Sequence, residues 1–355
     1  MPKRLKVLSS FILLLLAVML SGCVFDATKS TTEIDPPKDV NFVSEDEPLE
    51  AVEDKKEAND VDETTSEEVE TVTRQLYLMD KNGYVVPQSL NLPKTKEVAK
   101  QAVEYLVKDG PVTDLLPNGF QAVLPAGTEV IGVNLDSDTA IVDFSKEFAD
   151  YDPSEEQKIL QSITWTLTQF DNIKNVQIWI NGYEQKVMPV NQTPVGEGVS
   201  RLDGINNETG NVVDMANSMG VTVYYLAQTE GTSYYVPVTK RIANKTDSVA
   251  AVVEGLVDGP SIQSGLFSDF SSDVELLDVS IDDVGLATLN FNEALLNQEI
   301  VSDHTLNALV LSLTEQTNIH QVAIQVNGEP TLKNASGEPL AEPVTREMIT
   351  KTIGF

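Results

Sequence analysis

One stretch of this chain occurs twice. Val176-Gln177-Ile178-Trp179-Ile180-Asn181-Gly182 returns as Val322-Ala323-Ile324-Gln325-Val326-Asn327-Gly328. Both copies alternate like a strand and run into Asn-Gly, the dipeptide that supplies the two positive-φ positions of a type I′ hairpin. An offset of roughly 147 residues brings further pairs into line in the same order. Leu106-Val107-Lys108-Asp109-Gly110-Pro111 matches Leu256-Val257-Asp258-Gly259-Pro260, and Ala140 to Phe144 matches Ala287 to Phe291. The strand ending Val86-Pro87 matches the one ending Val236-Pro237, and Val199-Ser200-Arg201 matches Val344-Thr345-Arg346. A duplicated unit fixes the fold problem as one small domain solved twice.

Each copy reads as β-β-α-β-β-α-β-β. Strand pairs open it at Leu76–Leu78 with Tyr84–Val86 and at Val223–Tyr225 with Tyr234–Val236. In copy two the first helix spaces Val249, Val252, Val253 and Leu256 at i, i+3, i+4, i+7. Asp-Gly-Pro stops it, since Gly takes the left-handed C′ conformation and Pro cannot continue a helix. Two short strands follow, Glu129–Val133 and Ala140–Phe144, joined by an Asp-rich turn. The second helix starts at Asp152-Pro153-Ser154-Glu155, an N-cap with Pro at N1. Its core face is Leu160, Ile163 and Leu167, or Leu306, Leu309 and Leu313 in copy two. The fold class expected is α+β: two tandem repeats, each a small mixed or antiparallel sheet with two helices packed on one face.

Ahead of the repeats stand two segments of a different kind. Lys3, Arg4 and Lys6 precede an unbroken apolar run, Phe11 to Leu20, and then Leu20-Ser21-Gly22-Cys23. This is the layout of a secretory signal, and its end resembles the bacterial lipobox. There a Cys thiol receives a diacylglyceryl group and becomes the mature N-terminus, so Cys23 is the expected lipid attachment site. Residues 24–74 hold 17 Asp/Glu against 5 Lys/Arg. Such a segment buries too little apolar surface to offset its ordering entropy. It reads as an extended spacer, or as an acidic docking tail for a basic partner. The expected organisation of the 355 residues is therefore a signal peptide over 1–22, an acidic tether over 23–74, repeat 1 over 75–206, a linker over 207–220 and repeat 2 over 221–350.

The net charge of −31 argues against nucleic acid as a partner, because neutralising phosphates needs a basic face. A single Cys excludes an internal disulfide framework and a Cys-based zinc site. Asp136, Asp138 and Asp143 cluster beside one turn, as Asp282 and Asp283 do in copy two. They could serve a hard cation, but the EF-hand spacing is absent and solvated turns explain them. Glu147 or Asp150 could pair with Asp143 as acid and base. His304 and His320, which match Lys158 and Lys174, read as exposed polar positions. Trp165 and Trp179 occur in copy one alone, and Trp179 alternates with Ile178 and Ile180, so it should face away from the core. No nucleophile elbow, phosphate loop or His-Glu-x-x-His is present. The reading is of a non-enzymatic protein with no catalytic, metal or cofactor residues.

The lipobox, the acidic spacer and two copies of a unit marked by Leu-Val and then Gly-Pro one or two residues on, a Phe-ended strand and an NG hairpin resemble the GerM-type sporulation and germination lipoproteins of endospore-forming bacteria, with two tandem GerMN domains. The resemblance covers about residues 75–350. It implies a membrane-anchored binding protein between mother-cell and forespore membranes that helps build or place a trans-envelope complex. The unit is also similar to the ring-building modules of secretion machines. On this reading the chain sits at the extracytoplasmic face of the membrane, held by its diacylglyceryl anchor, with protein partners and no nucleic acid. A solute- or peptidoglycan-binding lipoprotein is the alternative, with a cleft between the lobes.

Overall fold

A computed structural model describes residues 70–208, 217–229, 232–243, 247–316, 318–330, 332–340 and 342–353. The signal peptide, Cys23 and the tether up to residue 69 lie outside the described residues. Among those described, no helix is long and apolar enough to cross a membrane.

Repeat 1 opens with an antiparallel hairpin, β1 (Thr71–Asp80) and β2 (Val85–Pro93). Helix α1 (Val98–Glu104) follows, and then β3 (Phe120–Gln121), which pairs with the end of β1. The strands β4 (Val130–Asp136), β5 (Thr139–Phe144), β6 (Asn175–Ile180) and β7 (Tyr183–Glu184) form a second sheet in that order. β5 and β6 run parallel because helix α2 (Glu156–Leu167) carries the chain across between them. Repeat 2 retraces this path. A hairpin of β8 (Ser218–Thr229) and β9 (Thr232–Ala243) leads to α3 (Ser248–Asp258). A mixed sheet of β10 (Leu276–Ile281), β11 (Leu286–Phe291), β12 (Gln321–Val326) and β13 (Val344–Thr345) follows, with α4 (Asp303–Leu313) between β11 and β12. The chain then adds α5 (Arg346–Ile353), an element beyond the expected β-β-α-β-β-α-β-β order.

The local signals act as expected. Asn181, Gly182, Asn327 and Gly328 all have positive φ. Asp152 accepts a hydrogen bond from Ser154 N–H ahead of α2, and Gly259 ends α3 at φ 69°. The inner face of the first mixed sheet buries Ala140, Val142, Phe144, Val176 and Ile178 beneath the helices.

Each leading hairpin stands apart from the mixed sheet, with β3 added to it in repeat 1, and the second helix packs against both layers. This is why α2 and α4 are buried nearly all round. Helix hydroxyls reach the hairpin backbone: Tyr77 N–H donates to Thr166 Oγ1 at 3.0 Å, and Ser162 Oγ donates to Tyr77 O. In repeat 2, Tyr224 N–H donates to Ser312 Oγ at 2.9 Å. The helix thus satisfies a strand edge that would otherwise be left unpaired.

Three boundaries move. Thr71–Arg74, expected in the tether, pair with Leu90–Pro93, because the short Thr-Val-Thr alternation there continues the hairpin. Ser218–Gly220, expected in the linker, begin β8, and Glu208 bridges to Lys240. Repeat 2 extends beyond residue 350 to Ile353.

Candidate functional site

The described body has one apolar core in each repeat and a third, small cluster of Tyr77, Val85, Trp165 and Ile205 at the joint between them. Around that cluster lies a network of ion pairs and side-chain hydrogen bonds. The two arginines of the duplicated Val-Ser/Thr-Arg motif start the construction. Each meets the C-terminal end of its own repeat's second helix, where carbonyls lack partners and the helix dipole is negative. Arg201 donates to Thr168 Oγ1 at 3.0 Å, and Arg346 donates to Thr314 Oγ1 at 3.1 Å and to Leu311 O at 2.9 Å. Each guanidinium lies over an aromatic ring, Arg201 at 4.4 Å from Trp165 and Arg346 at 5.2 Å from Tyr224.

Both arginines then converge on a single carboxylate. Arg201 Nη1 lies 2.7 Å from Glu315 Oε2, and Arg346 Nη2 lies 2.6 Å from Glu315 Oε1. Tyr224 OH donates to the same Oε1. Glu315 is 6% exposed, whereas Arg201 and Arg346 keep 29% and 25% of their side chains in solvent. Burial alone would push the Glu315 carboxyl up; Arg346 and Arg201, helped by the Tyr224 hydroxyl, outweigh it and hold it down at about 2. Burial pushes the Tyr224 phenol well up.

The joint is also stitched by neutral groups. Asn206, at φ 46°, accepts from Val85 N–H at 2.9 Å and donates to Val85 O and Pro237 O at 2.8 Å each. One side-chain amide therefore pairs with β2 and β9 together. Thr239 N–H donates to Ile205 O, Trp165 Nε1–H donates to Gly204 O at 3.2 Å, and Tyr234 OH donates to the buried Asp80 carboxylate at 2.7 Å. Beside the joint opens a cleft of about 530 Å³ whose lining includes Lys174, Asn175, Arg201, Leu202 and Thr239.

The carboxylates offered by the sequence do not gather into a site. Asp143 accepts from Gly182 N–H at 2.9 Å, and its counterpart Asn290 accepts from Gly328 N–H at 2.8 Å, so both serve the Asn-Gly turn. Asp282 closes its own turn by accepting from Val284 and Leu286 N–H. Asp138 and Asp283 are exposed turn residues, Asp136 is exposed at the end of β4, Asp150 is exposed, and Glu147 sits 3.9 Å from Lys146. Among the described residues, no group of three or more His, Cys, Asp or Glu is placed to hold a metal ion. His304 is exposed with Nδ1 3.2 Å from Tyr235 OH, and His320 is exposed against Gly285. Trp179 lies on the outer sheet face, half-buried, in register with Asp143 and Glu184.

Trp165, noted in the sequence only as lacking a counterpart, is 1% exposed at the joint. In the sequence Arg201 and Arg346 read only as repeat anchors, and no motif marks Glu315, Asn206 or Asp80. The available signal was a basic residue repeated at a fixed distance beyond each second helix.

Comparison with known proteins matches the two repeats separately. The family model described as "Germane: Sporulation and spore germination" matches residues 75–186 and 222–332. The spore germination protein GerM of Bacillus subtilis (strain 168) is 48% identical over 351 residues, covering 96% of each chain. The solved structure of the tandem GerMN domains of the sporulation protein GerM from Bacillus subtilis is 52% identical. It covers 78% of this chain and 97% of that one, with a TM-score of 0.74.

Proposed function

This chain belongs to the Germane family of sporulation and spore germination proteins, and on that premise we propose that it is a lipid-anchored assembly protein of the sporulation envelope. In this proposal Cys23 carries a diacylglyceryl group, the acidic segment spaces the body from the membrane, and the body works at the extracytoplasmic face. There it places or builds a complex that joins the mother-cell and forespore membranes.

The observation that carries the reading is the joint. Buried charge is costly unless it is paired, and here Glu315, held within repeat 2 by Arg346, pairs with Arg201 of repeat 1 and so ties one copy of the domain to the other. A scaffold needs its surfaces held at a set spacing, and a joint that ties the two repeats together supports that reading. The turn hydrogen bond of Asp143 supports a structural role for the carboxylate that acid–base chemistry would have used.

The test is genetic and biochemical. In a sporulating host, loss of the protein should prevent assembly of the trans-envelope complex, and the wild-type chain should restore it. Cys23→Ala should abolish labelling by a fatty-acid analogue and fail to restore assembly. Normal assembly in the deletion strain would overturn the assembly role; persistent labelling of Cys23→Ala would overturn the anchor.

A further inference from the structure

Asn-Gly occurs four times in the chain, at Asn82-Gly83, Asn118-Gly119, Asn181-Gly182 and Asn327-Gly328. The pair has a chemistry of its own. The glycine amide nitrogen can attack the asparagine Cγ, because glycine carries no side chain to obstruct the approach. All four asparagines are exposed, so solvent access does not separate them. The state of the glycine amide does. Gly83 N–H donates to Asp80 O at 3.0 Å, Gly182 N–H to Asp143 Oδ1 at 2.9 Å and Gly328 N–H to Asn290 Oδ1 at 2.8 Å. Each of these nitrogens is pinned by its acceptor and must leave it before it can attack. Gly119 N–H has no such partner among the described residues. Its turn is closed one residue later, by Phe120 N–H to Pro117 O at 3.1 Å, and φ 86° at Gly119 leaves the intervening amide to solvent.

Asn118 also stands where a change of backbone would be felt. Gly119 lies against repeat 2: a Cβ added to it would sit 3.1 Å from the Oγ1 of Thr229, the last residue of β8. Phe120 pairs with Asp80 at the end of β1 and sets its ring edge-on to Tyr234 of β9 at 5.1 Å. Tyr234 OH is the donor to the buried Asp80 carboxylate. Phe120, Asp80 and Tyr234 thus make a contact between the repeats with residues other than Arg201, Glu315 and Arg346.

We infer that Asn118 is a self-modifying site and that its modification loosens this contact. The Gly119 amide nitrogen bonds to Asn118 Cγ, the Cγ–Nδ2 bond breaks, and ammonia leaves with the proton that the Gly119 nitrogen gives up. Water then opens the cyclic imide at either carbonyl. Opening at one gives an aspartyl residue. Opening at the other routes the main chain through the side chain and gives an isoaspartyl residue, longer by one main-chain carbon. Either product places a carboxylate beside Gly119, and the isoaspartyl form also displaces Gly119 from Thr229 and Phe120 from Tyr234. The step needs water alone, so it records the age of the protein at the contact between its repeats. The inference does not rest on the assembly role proposed above.

The test follows the full chain in mildly alkaline buffer by peptide mass spectrometry. An ordinary hydrogen bond should hold back each engaged amide by about fivefold, so Asn118 should gain mass and isoaspartyl at least that much faster than Asn82, Asn181 and Asn327. In urea that unfolds the chain the four rates should converge. Asp143→Ala, which frees Gly182 N–H, should raise the Asn181 rate and leave that of Asn118 unchanged. An Asn118 rate no higher than the others, a ranking that survives urea, or an Asn181 rate that Asp143→Ala leaves unchanged overturns the site. Amide exchange at Ala227–Thr229 should quicken as the wild type ages and stay constant in Asn118→Ala. Equal exchange in the aged wild type and in aged Asn118→Ala overturns the loosening of the contact.

Discussion

Glu315→Gln isolates the energetics of the joint. The substitution keeps the shape of the side chain and a group able to bond Tyr224, and it removes the charge that faces Arg201 and Arg346. A carboxyl titrating near 4.5 in the unfolded chain and at about 2 in the folded one is worth about 3 kcal/mol near neutral pH. Breaking a buried ion pair from one side costs about 3–5 kcal/mol. Because each arginine keeps about a quarter of its side chain in solvent, the lower end applies, and about 3 kcal/mol is expected. For a body of this size that is a fall of about 5–10 °C in Tm. The pH dependence gives the sharper check. A depressed carboxyl pKa stabilises above its unfolded value and loses that contribution as pH falls toward the folded one. The Tm gap between wild type and Glu315→Gln should therefore be full at pH 7, shrink below about 4.5 and close near 2. In a cycle with Arg201→Gln, the coupling energy should exceed about 1 kcal/mol. A gap that is unchanged down to pH 2.5, or a coupling below about 0.3 kcal/mol, would refute the argument that these charges hold the repeats together.

Other expectations follow from single contacts. Asp143→Asn should change stability by less than about 0.5 kcal/mol, since Asn290 does the same work in repeat 2; Asp143→Ala, which strips Gly182 N–H of its acceptor, should cost about 1 kcal/mol in urea unfolding. Glu156 is buried and accepts from Val190, Asn191 and Thr193 N–H and from Tyr151 OH, bonds that outweigh its burial and hold its carboxyl below the ordinary value. Glu156→Gln should therefore speed amide exchange at those three residues and nowhere in repeat 2, with the wild type approaching the variant as pH drops below the ordinary carboxylate range. Trp165→Ala should cost about 3–5 kcal/mol, and a smaller loss would show that the joint repacks.

The repeat made the fold legible because its signals are local. Asn-Gly turns, the Asp152 cap and the Gly259 stop each act within a few residues, and duplication lets each one be read twice. The hairpins were harder to place. Their alternation marks them as strands, but nothing local says that they form a separate layer, or that Ser162, Thr166 and Ser312 turn helix hydroxyls toward them. The joint was illegible for the same reason carried further. Asp80, Trp165, the stretch from Arg201 to Asn206, and Glu315 are far apart in sequence and follow no period. The arginines could be seen to recur, yet their shared carboxylate lies in one copy only.

That asymmetry bears on what the unit of function is. Where the copies agree, they build the fold: the Asn-Gly turns, the helix core faces and the arginine at each helix end. Several places where they differ lie at the joint. Trp165 takes the position held in repeat 2 by Leu311, and Gln169 takes that of Glu315. Gln169 bonds within its own repeat, to Gln75 O and Thr166 O, whereas Glu315 reaches across to Arg201. Two copies of repeat 1 would place no carboxylate between the arginines, and two copies of repeat 2 would have no indole for the first arginine to cover. The order of the repeats is thus written into the joint, and a partner that binds the body meets an oriented pair of domains whose two ends are chemically distinct.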